Sequence, residues 1–276
     1  MIIYALLAAL AGLLIGSFLN VCIYRWPRDL SVVKPRSFCP ACDKPIAWFD
    51  NIPLLSFFLL GGRCRNCHQP IPVRYPVVES LTALSFGFAV WLLGPTLAGV
   101  KFCVFAAILI ALLFSDLEER ILPDEFTLGG AVLGVLFTTF VPPNTAIMPL
   151  LLMSVHIQNR YLIAFAESLF GAVVCSVSLW IVAVLYQKIR HREGLGLGDV
   201  KMVAMIGAFL GVYNALLTLV VASVLGAVVG LLFIWFTGKD ATTYELPFGT
   251  FLAFAALVVG FASEVVFKFW NGSSPF

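Results

Sequence analysis

Charged residues are scarce in this chain: they make up 12% of its 276 residues, whereas 61% are hydrophobic and the mean hydropathy is +1.00. This composition argues against a soluble domain. The sequence also lacks an alternating strand pattern and the phosphate-binding motif G-x-x-x-x-G-K-[ST], so the glycines at 194–198 do not indicate a nucleotide-binding loop. We predict an all-α polytopic membrane protein.

Eight apolar runs approach the length of about 20 residues that a helix needs to cross a bilayer. The sixth of them is the shortest. We expect the first to be retained rather than removed as a signal peptide, because no basic segment precedes it and no small-residue cleavage site follows it. The predicted spans are residues 2–24, 77–95, 98–115, 126–142, 162–187, 200–211, 213–237 and 249–270.

Basic residues are unevenly divided between the two sides of these spans. The segment 25–76 alone carries eight Lys or Arg residues, whereas one side of the membrane receives only Lys101, Arg160 and Lys268. The positive-inside rule makes the basic side cytoplasmic and leaves both termini outside. Asp116, Asp124 and Asp199 then all lie at the cytoplasmic surface.

Asp116 and Asp199 are the candidates for a pair of catalytic carboxylates. The alternative for Asp199 is a helix N-cap. Asp116 has no capping role at the end of its helix, where the dipole disfavours an anion, whereas Asp124 follows Pro123 and is predicted to cap the next helix. Lys201 is close enough in sequence to favour the ionised form of Asp199.

Paired carboxylates are suited to hydrolysing a peptide bond without a nucleophilic side chain. Two like charges a few ångströms apart share a proton, so one carboxylate accepts a proton from the attacking water while the other donates one. Gly196 and Gly198 before Asp199 leave room for a substrate strand to approach the carboxylate.

Two pairs of cysteines mark the long polar segment 25–76 as a metal site. Each pair has a two-residue separation, and 21 residues lie between the pairs, which is the pattern of two knuckles that together hold one structural zinc ion. Disulfides are the alternative, but cytoplasmic thiols are kept reduced. His68 is interpreted as a surface residue. The proposed ligands are Cys39, Cys42, Cys64 and Cys67.

Two polar residues in the predicted spans have two interpretations each. Asn20 follows Gly12 and Gly16 at helical spacing, so it either forms an interhelical hydrogen bond at a close helix contact or faces a polar cavity. Glu79 either complements a helix dipole or binds a cationic ligand at the membrane face.

The chain resembles the type IV prepilin peptidases, also called prepilin leader peptidases and N-methyltransferases, which are membrane aspartic peptidases with a G-x-G-D motif. The resemblance runs nearly end to end. It rests on Gly16-Ser17-Phe18-Leu19-Asn20-Val21 with Tyr24-Arg25, the two cysteine pairs, Asp50-Asn51-Ile52-Pro53 with Leu55-Ser56, Arg74-Tyr75-Pro76 with Glu79, Asp116 with Leu122-Pro123-Asp124, Gly196-Leu197-Gly198-Asp199 with Lys201, and Pro247-Phe248-Gly249.

This resemblance implies that Asp116 and Asp199 remove the leader of type IV prepilins or type II secretion pseudopilins at the cytoplasmic face of the bacterial inner membrane. It also implies methylation of the new amino terminus with S-adenosylmethionine. Residues 1–95, with the zinc loop, would form the methyltransferase part, and 96–276 a six-helix peptidase domain. No soluble-type methyltransferase fingerprint is present, so Asn20, Arg74 and Glu79 are hypotheses for the methyl-donor site.

Two alternatives remain open at this stage. One is a peptidase without methyltransferase activity. The other is an ion-coupled transporter or zinc-stabilised scaffold, against which stands the lack of internal repeats and of broken helices near the bilayer midplane. We expect prepilin or pseudopilin substrates and membrane lipid as partners and no nucleic acid; the sequence predicts no oligomeric state.

Overall fold

The computed structural model describes residues 1–147, 159–191, 195–237 and 247–270. These residues form helices, and the strand-like pairing among them is confined to two isolated bridges, Phe38 with Pro45 and Arg63 with Pro70. The predicted all-α class is therefore confirmed. The helices are α1 (Ile2–Arg25), α2 (Leu55–Leu59), α3 (Arg74–Leu93), α4 (Leu97–Glu119), α5 (Asp124–Phe140), α6 (Arg160–Arg190), α7 (Leu197–Thr237) and α8 (Phe248–Trp270).

Six of the described helices are long and apolar enough to cross a membrane: α1, α3, α4, α6, α7 and α8. All eight predicted runs are helical, but the count differs for two reasons. The runs 200–211 and 213–237 are two helical segments that meet within α7 at the non-helical Gly211, and α5 has 17 residues, at the lower end of the roughly 17 to 25 that a span needs. The structure supports a multi-pass membrane protein.

The chain forms two compact units, Met1–Ser115 and Asp116–Phe276. In the first unit α1 packs against α3 along a line of small residues. A Cβ atom on Gly12 would lie 2.8 Å from the Ala83 Cα, and one on Gly16 would lie 2.7 Å from the Glu79 Cα. Since these targets are backbone atoms, any side chain there would force the helices apart. The predicted close helix contact is confirmed.

In the second unit α7 packs against α5, α6 and α8. Its kink residue Gly211 has φ of 76°, a conformation that favours glycine. The hydroxyls of Thr138 on α5 and Ser168 on α6 each donate a hydrogen bond of 2.8 Å to the Ala208 carbonyl, just before the kink. Neighbouring helices thus supply hydrogen bonds to a carbonyl next to the break in α7.

Candidate active site and cysteine cluster

Asp116 lies in the last turn of α4 and is buried, with 6% of its surface exposed. Its Oδ2 atom accepts two hydrogen bonds from Thr250 in the first turn of α8, one from the backbone N–H at 2.6 Å and one from the hydroxyl at 2.9 Å. Both donors act on the same oxygen. The carboxylate is therefore held in one orientation with Oδ1 turned away from Thr250.

Asp199 lies in the first turn of α7, beside the glycine-rich approach. Its carboxylate contacts the Gly196 backbone and interacts electrostatically with Asp116. The two aspartates, 83 positions apart in the sequence, are thus brought together by the ends of α4 and α7. This arrangement provides the pair of neighbouring carboxylates that acid–base hydrolysis requires.

Two glycines allow the surrounding segments to close on Asp116 and Leu122. A Cβ atom on Gly249 would lie 3.0 Å from the Asp116 Oδ2 and 3.1 Å from the Leu122 Cδ1, and one on Gly198 would lie 3.2 Å from the Leu122 Cβ. Leu122 therefore packs between the glycines that precede Asp199 and Thr250. A larger residue at Gly249 would press directly on the Asp116 carboxylate.

Thr250 is a site residue that the sequence analysis missed. It directly follows Pro247-Phe248-Gly249, a motif that was part of the family resemblance but carried no assigned role. A threonine at the start of an apolar run has no distinctive spacing, so its own identity gave no indication. Its role follows from the contact with Asp116.

Asp124 does not cap α5, so this prediction was wrong. Helix α5 begins at Asp124 itself, Pro123 occupies the N-cap position, and no side chain caps the helix. The Asp124 carboxylate instead binds the Lys201 ammonium at 2.7 and 2.9 Å. The Lys201 charge is therefore directed to Asp124, which links the start of α5 to the first turns of α7.

The four cysteines of the first unit converge on one point. Their sulfur atoms all lie within 4.8 Å of one another, and the Sγ atoms of Cys39 and Cys67 are 3.8 Å apart. A tetrahedral zinc ion with Zn–S bonds of about 2.3 Å places its sulfurs about 3.8 Å apart. The group formed by Cys39, Cys42, Cys64 and Cys67 therefore fits a four-thiolate metal site, which leaves no position for water.

The two cysteine pairs sit on matching loops. In each loop the first cysteine donates its N–H to a carbonyl five residues later, Cys39 to Lys44 and Cys64 to Gln69, both at 2.9 Å. The residue after the second cysteine, Asp43 or His68, has a left-handed backbone with φ of 54° or 57°. His68 thus completes a turn and is not part of the cysteine cluster.

The loop geometry favours the thiolate form at one cysteine of the cluster. Backbone N–H groups of Cys67 and Asn66 donate to the Cys64 sulfur and lower the pKa of this thiol to about 6, whereas burial and the neighbouring cysteines raise the pKa of Cys67 to about 11. The same type of contact, amide to sulfur, stabilises metal-bound thiolates. This feature supports metal binding by the cluster.

A cavity of about 400 Å³ lies in the first unit between α1, the cysteine loops and the start of α3. Asn20 and Glu79 line it, and they share it with the aromatic residues Tyr24, Phe57 and Tyr75. Arg74 is not part of its wall; its guanidinium lies over the Tyr75 ring, 4.9 Å from the centroid. The structure therefore brings together two of the three residues considered for a methyl-donor site.

The interhelical hydrogen bond predicted for Asn20 is confirmed. Its Nδ2 donates to the Gly16 carbonyl at 3.3 Å and, between helices, to the Tyr75 carbonyl at 3.1 Å, while the residue also lines the cavity. Glu79 lies in the second turn of α3, and its Oε2 accepts the Leu54 N–H at 2.8 Å. Glu79 thus accepts a hydrogen bond from the segment before α3, and it lies beyond the first turn, where a carboxylate would interact most strongly with the helix dipole.

Fold and sites define a polytopic helical membrane protein with two interacting aspartates in one unit and a four-cysteine cluster beside a cavity in the other. Residues 10–93 match the model of the bacterial peptidase A24 N-terminal domain, and residues 103–231 match that of the type IV leader peptidase family. The chain belongs to the type IV leader peptidase family, as the sequence motifs predicted.

Similar curated proteins carry the name prepilin leader peptidase/N-methyltransferase. The protein of Myxococcus xanthus is 41% identical over 88% of this chain and 67% of its own length. The proteins of Neisseria gonorrhoeae and Pseudomonas aeruginosa are each 31% identical, over 96% and 92% of this chain and 93% and 89% of their own lengths. No solved structure matches the chain.

Proposed function

We propose that this protein removes the leader peptide of type IV prepilins or type II secretion pseudopilins and then methylates the new amino terminus. The observation that carries the peptidase assignment is the pair of interacting carboxylates, the buried Asp116 at the end of α4 and the half-buried Asp199 at the start of α7. Family membership and the names of the relatives support the substrate and both activities.

In the peptidase reaction the two aspartates share one proton. The ionised carboxylate takes a proton from the attacking water, while the protonated one donates to the carbonyl oxygen and then the leaving amine. The two Thr250 hydrogen bonds fix Asp116 for this exchange. Gly196 and Gly198 leave room for the substrate to approach Asp199, and the Asp124–Lys201 pair ties α5 to α7.

The methyl-transfer reaction is assigned to residues 1–95 and the peptidase reaction to residues 96–276. S-adenosylmethionine supplies an electrophilic methyl group when bound. The cavity fits a ligand with N–H donors, because the Oδ1 atom of Asn20 is buried there without a hydrogen-bond partner. Asn20 and Glu79 would directly bind one of the two reactants of the methyl transfer, the methyl donor or the accepting amine, and Arg74 would support the wall through Tyr75.

The cysteine cluster is assigned to a structural zinc ion that fixes the two loops above this cavity. Cys39 and Cys64 also line the cavity, so loss of the metal would deform it. The protein is assigned to the bacterial cytoplasmic membrane, with the loop and both aspartates facing the cytoplasm and both termini outside, since this places most basic residues inside.

The test of the peptidase assignment is cleavage of a prepilin by reconstituted protein carrying Asp116→Asn or Asp199→Asn. Each amide preserves shape but cannot exchange the proton, so each variant should be inactive and still folded. Asp124→Asn is the matched control, because it changes a carboxylate of the same region that forms an exposed ion pair. An active Asp116→Asn together with an inactive Asp124→Asn would refute the choice of pair.

A further inference from the structure

Two residues that line the cavity in the first unit, Asn20 and Glu79, offer hydrogen-bond acceptors, and we call these two residues the floor of the cavity. Asn20 has 1% of its surface exposed, both of its described hydrogen bonds use Nδ2, and its Oδ1 has no partner. Rotating the amide by half a turn would set Oδ1 against the Gly16 and Tyr75 carbonyls, so the orientation is fixed. Asn20, which lines the cavity, therefore carries a buried acceptor that no described group satisfies.

Glu79 adds a second acceptor on the same wall. It has 6% of its surface exposed, and its contacts in the described part of the chain are with the Leu54 N–H and the Ser17 hydroxyl, neither of which is a cation. Asp50 also lines the cavity, but Arg65 binds both of its oxygens at 2.6 and 2.8 Å. Glu79 is thus the carboxylate of the cavity whose charge is not matched by an ion pair.

A buried acceptor without a partner and a buried carboxylate without a cation are both unfavourable. One group relieves both: a primary ammonium, which carries a positive charge and three N–H donors. A guanidinium would also carry donors, but its planar fork suits a paired oxygen arrangement, as at Asp50. The floor is therefore suited to a single small cationic head.

The residues around Asn20 and Glu79 indicate which chemical group is attached to the ammonium. Val21, Leu54, Phe57 and Ile71 line the cavity and offer apolar contacts to a side chain next to the ammonium. Glu79 follows the start of a membrane-crossing helix, so the floor lies near the level at which such a helix enters the bilayer. A cleaved substrate with an apolar membrane segment would present its new amino terminus at this level.

We propose that Asn20 and Glu79 bind the primary amine of the methyl-accepting peptide, and that the apolar wall receives its first side chain. This inference rests on the proposed methyl transfer and assigns these two residues to the amine rather than to the methyl donor. Glu79 accepts one proton from the ammonium, which frees the nitrogen lone pair, while Asn20 Oδ1 holds a remaining N–H. A nitrogen–carbon bond then forms as the methyl–sulfur bond breaks, and its electron pair stays on sulfur.

Glu79→Gln separates charge from shape. The amide oxygen can still accept the Leu54 N–H, but the side chain can neither balance an ammonium nor take its proton. Asp50→Asn is the matched control, because it removes a carboxylate of the same cavity that Arg65 already neutralises. Both variants should still cleave prepilin, since this reaction uses Asp116 and Asp199.

The measurement is calorimetric binding of a short peptide that begins with Phe to full-length protein in nanodiscs, with the N-acetylated peptide and S-adenosylhomocysteine titrated separately. Loss of a hydrogen bond to a charged group should weaken binding of the free-amine peptide by about tenfold or more in Glu79→Gln. Asp50→Asn should bind it as the wild type does, and S-adenosylhomocysteine affinity should be unchanged in both variants.

Unchanged affinity of Glu79→Gln for the free-amine peptide would overturn the proposal. An equal loss for S-adenosylhomocysteine would also overturn it, because the residue would then serve the methyl donor. If Glu79→Gln does not fold, wild-type protein photo-crosslinked to a peptide with benzoylphenylalanine at its first position decides: adducts at Val21, Leu54 or Phe57 support the proposal, and adducts confined to other residues refute it.

The failure of this inference is distinguishable from failure of the proposed function. A wild-type enzyme that never methylates a cleaved pilin in the presence of S-adenosylmethionine would refute the function itself. A wild type that methylates, with Glu79→Gln showing an unchanged KM for pilin and an unchanged kcat, would refute only the role of Glu79.

Discussion

Thr250 provides a sharp test of the catalytic geometry, because it donates two separate hydrogen bonds to one oxygen of Asp116. Thr250→Val removes the hydroxyl bond of 2.9 Å and retains both the side-chain volume and the backbone N–H bond of 2.6 Å. Hydrogen bonds to a charged group contribute about 1.5–3 kcal/mol. If the bond contributes this energy in the transition state but not in the ground state, its loss corresponds to a rate decrease of about 10- to 150-fold.

We expect the lower part of this range, about tenfold, because the remaining N–H bond still orients Asp116. The assay is kcat for prepilin cleavage in reconstituted membranes, with thermal unfolding measured on the same preparations. Thr250→Ser keeps the hydroxyl and is the matched control, so it should retain most of the activity. Equal activity in the valine and wild-type proteins, or an equal loss in the serine and valine proteins, would refute the role of the hydroxyl.

Three further outcomes follow from the structure. Asp124→Asn and Lys201→Met should each change stability by less than about 1 kcal/mol and leave most cleavage activity, because both partners are exposed; a loss of activity as large as that of an active-site variant would contradict this. Gly16→Ala should lower the unfolding temperature, since its Cβ would meet the α3 backbone. Gly129→Ala, whose Cβ would have no atom within 4 Å, should leave the unfolding temperature unchanged or raise it slightly. An equal change of unfolding temperature in the two variants would argue against the close helix contact. Cys64→Ser should abolish stoichiometric zinc measured by mass spectrometry of the metal while prepilin cleavage persists; retained zinc would remove this cysteine from the site.

Hydropathy predicted the long helices well because an apolar run of membrane length has few alternatives. Even the break between the runs ending at 211 and beginning at 213 corresponds to a structural feature, the kink at Gly211. The cysteine cluster was equally predictable, since the two-residue separations already bring each pair of thiolates together. In both cases local sequence carries the information.

The parts that sequence did not predict depend on distant residues. Asp124 was assigned to a helix cap, but its carboxylate binds Lys201, 77 positions away, and tertiary attraction overrides the local capping preference. Thr250 acquires its role from Asp116, 134 positions earlier in the chain. The acceptor on Asn20 became evident only when both of its N–H groups were seen to be used.

The central claim is that one chain carries two chemical activities with separate residues. The most direct measurement incubates the Asp199→Asn variant and S-adenosylmethionine with either a full-length prepilin or a pilin whose leader has already been removed. The mass of the amino-terminal peptide is then recorded for each substrate. We predict an uncut, unmethylated prepilin and a precleaved pilin heavier by one methyl group. A cut prepilin would contradict the catalytic role of Asp199, and an unmethylated pilin with wild-type protein active beside it would contradict the separation of the two activities.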